Sequence, residues 1–579
     1  MRKSLFIIIL ILCISDLTGQ INRYGMPLIR NYPSKLTGGS EQIWCMTSDS
    51  FGNMYYGSQD RGVFKYDGTR WNTITIGQNP RIYSLEADSS GIIYVGAAFE
   101  FGYIQPGRRG MPEYVSLAER LKNISDIKFV YSIVIEGSKV LFLSPKYMFI
   151  YDSDRDLLTS HDLVDHDILD AFRLVRIGNK LILSDILKGL YEVKDTTITP
   201  LPGGSFFHNM SCTIFLPYSD TKVIVGTFDD GIFLYDFSTG EIKSDFVSSK
   251  VNEKFKKVFV YAGARISEEL FAIGTTNEEG ILIINRNGEL VQQINAENSE
   301  IEDNTAYAMY CDYGKSAELW VSTYGVLSKI YVNIPLTVFS AEQGIESGVN
   351  EITFSKGDLF VSSDAGILRS YTDQNNNLKF RKIPGIISQV FPVRVVSSGD
   401  DNFILAGTLE GILQINPDGT VKSVEKNCIG KPDLQQYNAR KIIQSAKDPS
   451  LFFFGLQTSG IIVLKYEKGR WYYQNRLRSM PGIIYSMVED KSGGLWFVTD
   501  DPDALYHMKF NSGDTTVVSY GKDKGIPASD LNTVCYIDSS IYVTSSAGIF
   551  RYSDDSDSFT PDTILTKGLS AGRISVNLF

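Results

Sequence analysis

The chain repeats itself. "DSFGNMYYGSQDRGVFKYDG" (Asp49 to Gly68) returns as "DSSGIIYVGAAFEFGYI" (Asp88 to Ile104), 39 residues later. Looser copies begin at Lys222, Leu270, Phe403 and Leu451; those at Leu359 and Ile541 put Ser where the first Gly stood, and the copy at Asp490 keeps only the front half. A period of this size limits the fold to repeat architectures, because one such unit cannot bury its own apolar face and must stack on a neighbour.

One copy can be read physically. A short apolar run makes a strand, a turn closed by Gly (Gly62, Gly231, Gly280, Gly411, Gly460) follows, and a second apolar run returns. This is a β-hairpin with Gly where positive φ is needed. Another strand precedes it across a short Asp/Ser/Gly turn, as in "IYSLEAD" from Ile82 and "IIYSMVED" from Ile483. A more polar fourth strand and a recurring loop ("FSAEQGIESGVNEI" from Phe339, "YGKDKGIPASDLNTV" from Tyr520) lead to the next unit. Four antiparallel strands in about 40 residues is the size of one β-propeller blade.

Twelve units are expected. Seven start near Ile43, Ile82, Val130, Phe172, Cys212, Val258 and Tyr307, and five near Val349, Phe391, Ala439, Ile483 and Thr533. Pro27–Tyr32 reads as a fourth strand lying ahead of the first blade, suited to complete the seventh and remove an open edge. The expected fold is all-β with two tandem β-propellers: a closed seven-bladed ring over 21–340, then an incomplete one over 341–579. The second has five blades and a lone sixth-blade strand, Arg573–Phe579, which predicts a truncated relative of a longer protein. Tyr114–Ile124 reads as a helical insert between blades two and three. Abundant Tyr (32), Phe (33) and Gly (50) agree with strands and tight turns.

The start of the chain specifies a compartment. Met1-Arg2-Lys3, the apolar run Leu5–Ile14 and a small residue near Gly19 describe an export signal over 1–20, too short to span a bilayer. Leu12 before Cys13 is not the small residue of a lipoprotein signal. The mature chain carries no apolar run long enough for a membrane span and is expected to be periplasmic or secreted. A net charge of −11 with no basic cluster argues against nucleic acid and anionic membranes. Cys45, Cys212, Cys311, Cys428 and Cys535 are odd in number and scattered, which suits small core residues better than a disulfide framework.

Catalytic and metal motifs fail on inspection. "GLSAG" (Gly568–Gly572) matches a hydrolase elbow, but it lies in the recurring loop with no histidine downstream. "DSDRD" (Asp152–Asp156) lacks the Gly and Glu of a calcium loop and reads as a strand-to-strand turn. His161, His166, His208 and His507 lack metal spacing, and no phosphate-binding glycine loop is present, so no metal or cofactor is expected.

The candidate site is a set of aromatics near the starts of first strands: Trp44, Tyr83, Tyr131, Tyr307 and, in the second array, Tyr485. First strands line a propeller's central channel. These faces therefore suit stacking on a sugar ring at one mouth, with Arg81 and Glu100 hydrogen-bonding hydroxyls. The same side chains also suit packing between blades.

The pattern "D-x-x-G-x-[LI]-[WY]-[IVF]-G" with a following "G-[IV]-[FL]" resembles the two-component regulator propeller repeat, across essentially the whole mature chain. "GMPLIRNYPSK", "YDGTRW" (Tyr66–Trp71) and "EFGYI" (Glu100–Ile104) resemble propeller sensors that also carry a triple-tyrosine domain. The resemblance implies a non-catalytic periplasmic sensor portion that binds a small-molecule ligand, such as an oligosaccharide, and acts as a homodimer in a full-length sensor. The sandwich-like domain, membrane helix and output module of that family are not found in this sequence. A propeller-fold glycan lyase or hydrolase and a secreted protein-interaction scaffold are the competing readings.

Overall fold

The computed structural model describes residues 25–107, 111–121, 124, 127–313, 318–332, 334, 336–373, 378–398, 401–430, 437–458, 460–477, 482–500, 505–511, 514–526 and 531–563. The expected export signal, "GLSAG" and Arg573–Phe579 lie outside them. The chain divides into two compact units, Met1–Glu342 and Gln343–Phe579.

Among the described residues there are twelve sheets, seven in the first unit and five in the second. Eleven have four antiparallel strands. The third sheet of the second unit gains a fifth, Cys428–Ile429, which runs parallel to Arg470–Leu477. The seven first strands of unit one are Ile43–Ser48, Ile82–Ala87, Ser132–Glu136, Ala171–Ile177, Cys212–Pro217, Val260–Arg265 and Ala308–Cys311. Those of unit two are Val349–Ser355, Val390–Ser398, Ala439–Gln444, Ile484–Glu489 and Leu531–Ile537. Each begins within two residues of the start read from the repeat.

The repeat's chemistry explains its spacing. Asp49 Oδ1 accepts the backbone N–H groups of Phe51 and Asn53 at 3.0 and 2.9 Å, closing the turn, while Oδ2 accepts the Tyr55 hydroxyl at 3.1 Å. Asp88 repeats this with Ser90, Ile92 and the Tyr94 hydroxyl, and Asp490 with Ser492, Gly494 and the Trp496 indole. The aromatic six residues on thus satisfies the carboxylate that forms the turn. At the hairpin, Gly62 has φ 78°, and a Cβ there would meet the Ile74 carbonyl oxygen at 2.4 Å. No other residue fits without moving that backbone.

Second strands are buried along their whole length (Met54–Ser58, Ile93–Ala97, Leu270–Thr275), because a sheet lies against each face. Fourth strands such as Thr197–Pro200 are largely exposed, which accounts for their polarity.

In unit one, each first strand touches the next, and Ala308–Cys311 of the seventh sheet touches Ile43–Ser48 of the first. Leu28–Pro33 pairs antiparallel with Val326–Tyr331, as the fourth strand of the seventh sheet. Tyr32 joins that sheet to the first: its ring stacks on Trp320 at 5.6 Å and meets Trp71 and Tyr66 at 5.7 Å. The Ser48 and Tyr310 hydroxyls bond at 2.7 Å across the same boundary. In unit two the five first strands also touch in sequence, with no comparable contact joining the fifth sheet back to the first among the described residues. Ile352 and Phe354 on its first strand are 60% and 65% exposed, whereas Ile43 and Met46 on the first strand of unit one are buried.

The helical insert is corrected. Pro112–Ser116 is the fourth strand of the second sheet, pairing Tyr114 with Ile104, and only Ala118–Arg120 forms a short 3₁₀ turn. The Glu100 carboxylate explains the outcome: it accepts the Tyr114 and Ser116 hydroxyls at 3.1 and 2.8 Å and holds the segment extended. Asp152–Asp156 forms the turn between strands Tyr147–Asp152 and Leu157–Asp162, as expected.

Candidate functional site

A register shift recurs at the start of the first strands. In unit one the pairing slips between Ile43 and Cys45, Ile82 and Ser84, Ala171 and Arg173, Cys212 and Ile214, and Val260 and Ala262. The residues left out of the ladder are Trp44, Tyr83, Phe172, Thr213 and Tyr261. A β-bulge re-aims a side chain, and here it delivers one residue per sheet to a common place. Tyr131 and Tyr307 stand just before their strands at the corresponding position; their N–H groups donate to Leu143 and Ser322.

These side chains form a belt. Tyr307 lies 5.3 Å from Trp44, and Tyr261 lies 6.0 Å from Tyr307 and 6.5 Å from Trp44. Tyr83 meets Tyr131 at 5.4 Å, and Tyr131 meets Phe172 at 5.3 Å. Arg81 bridges Trp44 and Tyr83, with its guanidinium carbon 5.1 and 5.7 Å from their rings. A cavity of about 290 Å³ opens within the belt and receives residues from all seven first strands, including Trp44, Tyr83, Ser132, Arg173, Thr213, Tyr261 and Tyr307.

The structure therefore brings together Trp44, Arg81, Tyr83, Tyr131 and Tyr307. It places Glu100 elsewhere, among the donors of Tyr114, Ser116 and the Phe101 N–H, and Glu100 is not part of the belt. Tyr485 belongs to the second unit. Phe172, Tyr261 and Arg173 were not singled out from sequence. Each had a signal: Tyr261 follows Val260 as Trp44 follows Ile43, directly after the first buried strand residue.

The belt's chemistry is amphipathic. Its members are all half-buried. The hydroxyls of Tyr131, Tyr261 and Tyr307 have no hydrogen-bond partner among the described residues, which leaves donors and acceptors beside exposed ring faces. Burial pushes the Tyr131 phenol up, so it stays protonated at neutral pH. Deeper in, Arg173 donates from Nε to the Thr213 carbonyl at 3.3 Å and from Nη1 to the Tyr131 carbonyl at 3.2 Å. Burial holds its guanidinium below the ordinary arginine value. Glu86 follows on the second first strand; its side chain keeps solvent exposure, yet the protein around it pushes its carboxyl up to about 7.

No family model and no curated protein matches the sequence. Among solved structures, the chain is similar to one described as the extracellular domain of a hybrid two-component system of B. thetaiotaomicron. The match has 13% identity over 94% of this chain and 74% of that one, with a TM-score of 0.63. The extracellular domain of a second hybrid two-component system of B. thetaiotaomicron aligns with 17% identity over 93% of this chain and 73% of that one, with a TM-score of 0.43. The first likeness shows a shared all-β, propeller-like fold. Among the described residues, no helix is long and apolar enough to cross a membrane.

Proposed function

We propose that this chain is an exported, non-catalytic ligand-sensing protein, built like the sensor region of a two-component regulator. Residues 1–20 direct export. Residues 21–340 form a closed seven-bladed β-propeller fastened by Leu28–Pro33, and the described residues of the second unit supply five further blades. The ligand is a small molecule that offers an apolar ring face and hydroxyl edges together, as an oligosaccharide does. The observation that carries this reading is the half-buried aromatic belt, whose ring faces, three hydroxyls unpartnered among the described residues and Arg81 cation match that surface.

A thermal-shift screen of oligosaccharides followed by calorimetry tests it. A binder should raise the melting temperature, and Trp44→Ala should weaken it by about fivefold or more, since one stacking contact is worth about 1 kcal/mol beyond its area. Silence across a broad panel removes the saccharide assignment. Turnover of the bound saccharide overturns the non-catalytic reading.

A further inference from the structure

We propose that the second unit has an anion site of its own, where the Arg440 guanidinium, clamped between the rings of Phe391 and Tyr485, receives a carboxylate or sulfate group. The acidic sugar used below as a probe class rests on the saccharide reading of the first unit; the anion site itself does not.

The site is built by the same bulge device. Pairing slips between Ala439 and Lys441, leaving Arg440 out of the ladder. On the flanking sheets it slips between Val390 and Val393, and between Ile484 and Ser486, leaving out Phe391 and Tyr485. Three neighbouring first strands thus deliver an aromatic, an arginine and an aromatic to one point. The Arg440 guanidinium carbon stands 4.5 Å from the Phe391 centroid and 4.9 Å from that of Tyr485.

Contacts of this kind are with the ring faces and use the charge of the guanidinium without consuming its five N–H donors. Among the described residues no hydrogen bond or ion pair reaches those donors. Neighbouring arginines are satisfied: Arg394 donates to the Ile442 carbonyl at 3.2 Å, and Arg369 binds the Asp358 carboxylate at 2.6 and 2.8 Å. A half-buried arginine packed between two rings, with its donors free, is pre-organised for a two-pronged oxyanion, and less side-chain entropy is lost on binding. The first unit holds Arg81 between Trp44 and Tyr83 in a similar way, but there Nη1 lies 3.5 Å from the Tyr83 hydroxyl.

The test is calorimetry on the full chain with glucuronate, glucose 6-sulfate and glucose. We expect at least one of the two anions to bind and glucose to bind more weakly. Arg440→Gln should weaken the anion by about tenfold or more, the loss of a charged hydrogen-bonding partner. Arg440→Lys, which keeps the charge without the fork, should fall between. A carboxylate-only or sulfate-only response assigns the group. The proposal is overturned if neither anion binds or if Arg440→Gln binds the anion as the parent does. It is also overturned if Arg81→Ala abolishes the anion signal, which would move it to the first unit. Should Arg440→Gln melt early, Arg440→Lys decides, and parent-like affinity there contradicts the proposal. Loss of neutral saccharide binding in Trp44→Ala alone bears only on the first unit.

Discussion

Asp490 shows how much one residue of the repeat does. Burial opposes its charge, yet donors from His507, Ser492 and Gly494 hold its carboxyl well below the ordinary range. The His507 ring that supplies one of them stacks 4.0 Å from Trp496. The motif's Asp, Gly and aromatic were legible in the sequence because turn chemistry is local. Glu100 was not: its partners Tyr114 and Ser116 are fourteen and sixteen residues away, and only strand pairing brings them together. Glu86 offers a test at this scale. Its carboxyl titrates near 7 in the fold against about 4.3 unfolded. The protonated form therefore stabilises the fold fully below about 4.3, and that stability is lost as pH rises through 7. Because solvent screens an exposed side chain, only part of that shift reaches stability: Glu86→Gln should melt like the parent at pH 4 and slightly higher at pH 8, and a difference independent of pH would contradict this environment.

At the level of elements, hairpins and first strands were readable from apolar runs and positive-φ glycines, and unit starts fell within two residues. Tyr114–Ile124 misled because its leucines and charges sit at helical spacing, while its strand identity depends on pairing with Phe101–Pro106. The bulges were invisible to periodicity, since an extra residue shows only against a partner strand. Leu28–Pro33 is the element with the largest consequence. Deleting it strips the Val326–Tyr331 edge and removes Tyr32 from the rings of Trp320, Trp71 and Tyr66. Tyr32→Ala alone should cost about 3 kcal/mol, and deletion of the strand should cause aggregation or a large fall in melting temperature. An unchanged melt after deletion would show that the strand does not fasten the first unit.

At the scale of the whole molecule, repetition turns a local accident into a site. One bulge beside one strand start re-aims one side chain; the same device on five of the seven sheets, with Tyr131 and Tyr307 just ahead of the other two first strands, gathers one side chain per sheet into the belt. The count of sheets was legible because each repeat carries its own turn. The site's membership was only partly so, because the bulges that bring Phe172 and Tyr261 into the belt appear only against a partner strand. Ile352 and Phe354 are exposed on the first strand of the second unit's first sheet, whereas Ile43 and Met46 are buried on the corresponding strand of the first unit, where the seventh sheet packs against the first. The most direct test of the central claim is hydrogen–deuterium exchange with and without a saccharide that raises the melting temperature. Protection should concentrate in peptides covering 43–48, 82–87, 131–136, 171–177, 260–265 and 307–311, with outer strands such as 157–162 and 197–200 unchanged. Protection confined to outer strands, with those first-strand peptides unaffected, would contradict an axial ligand site.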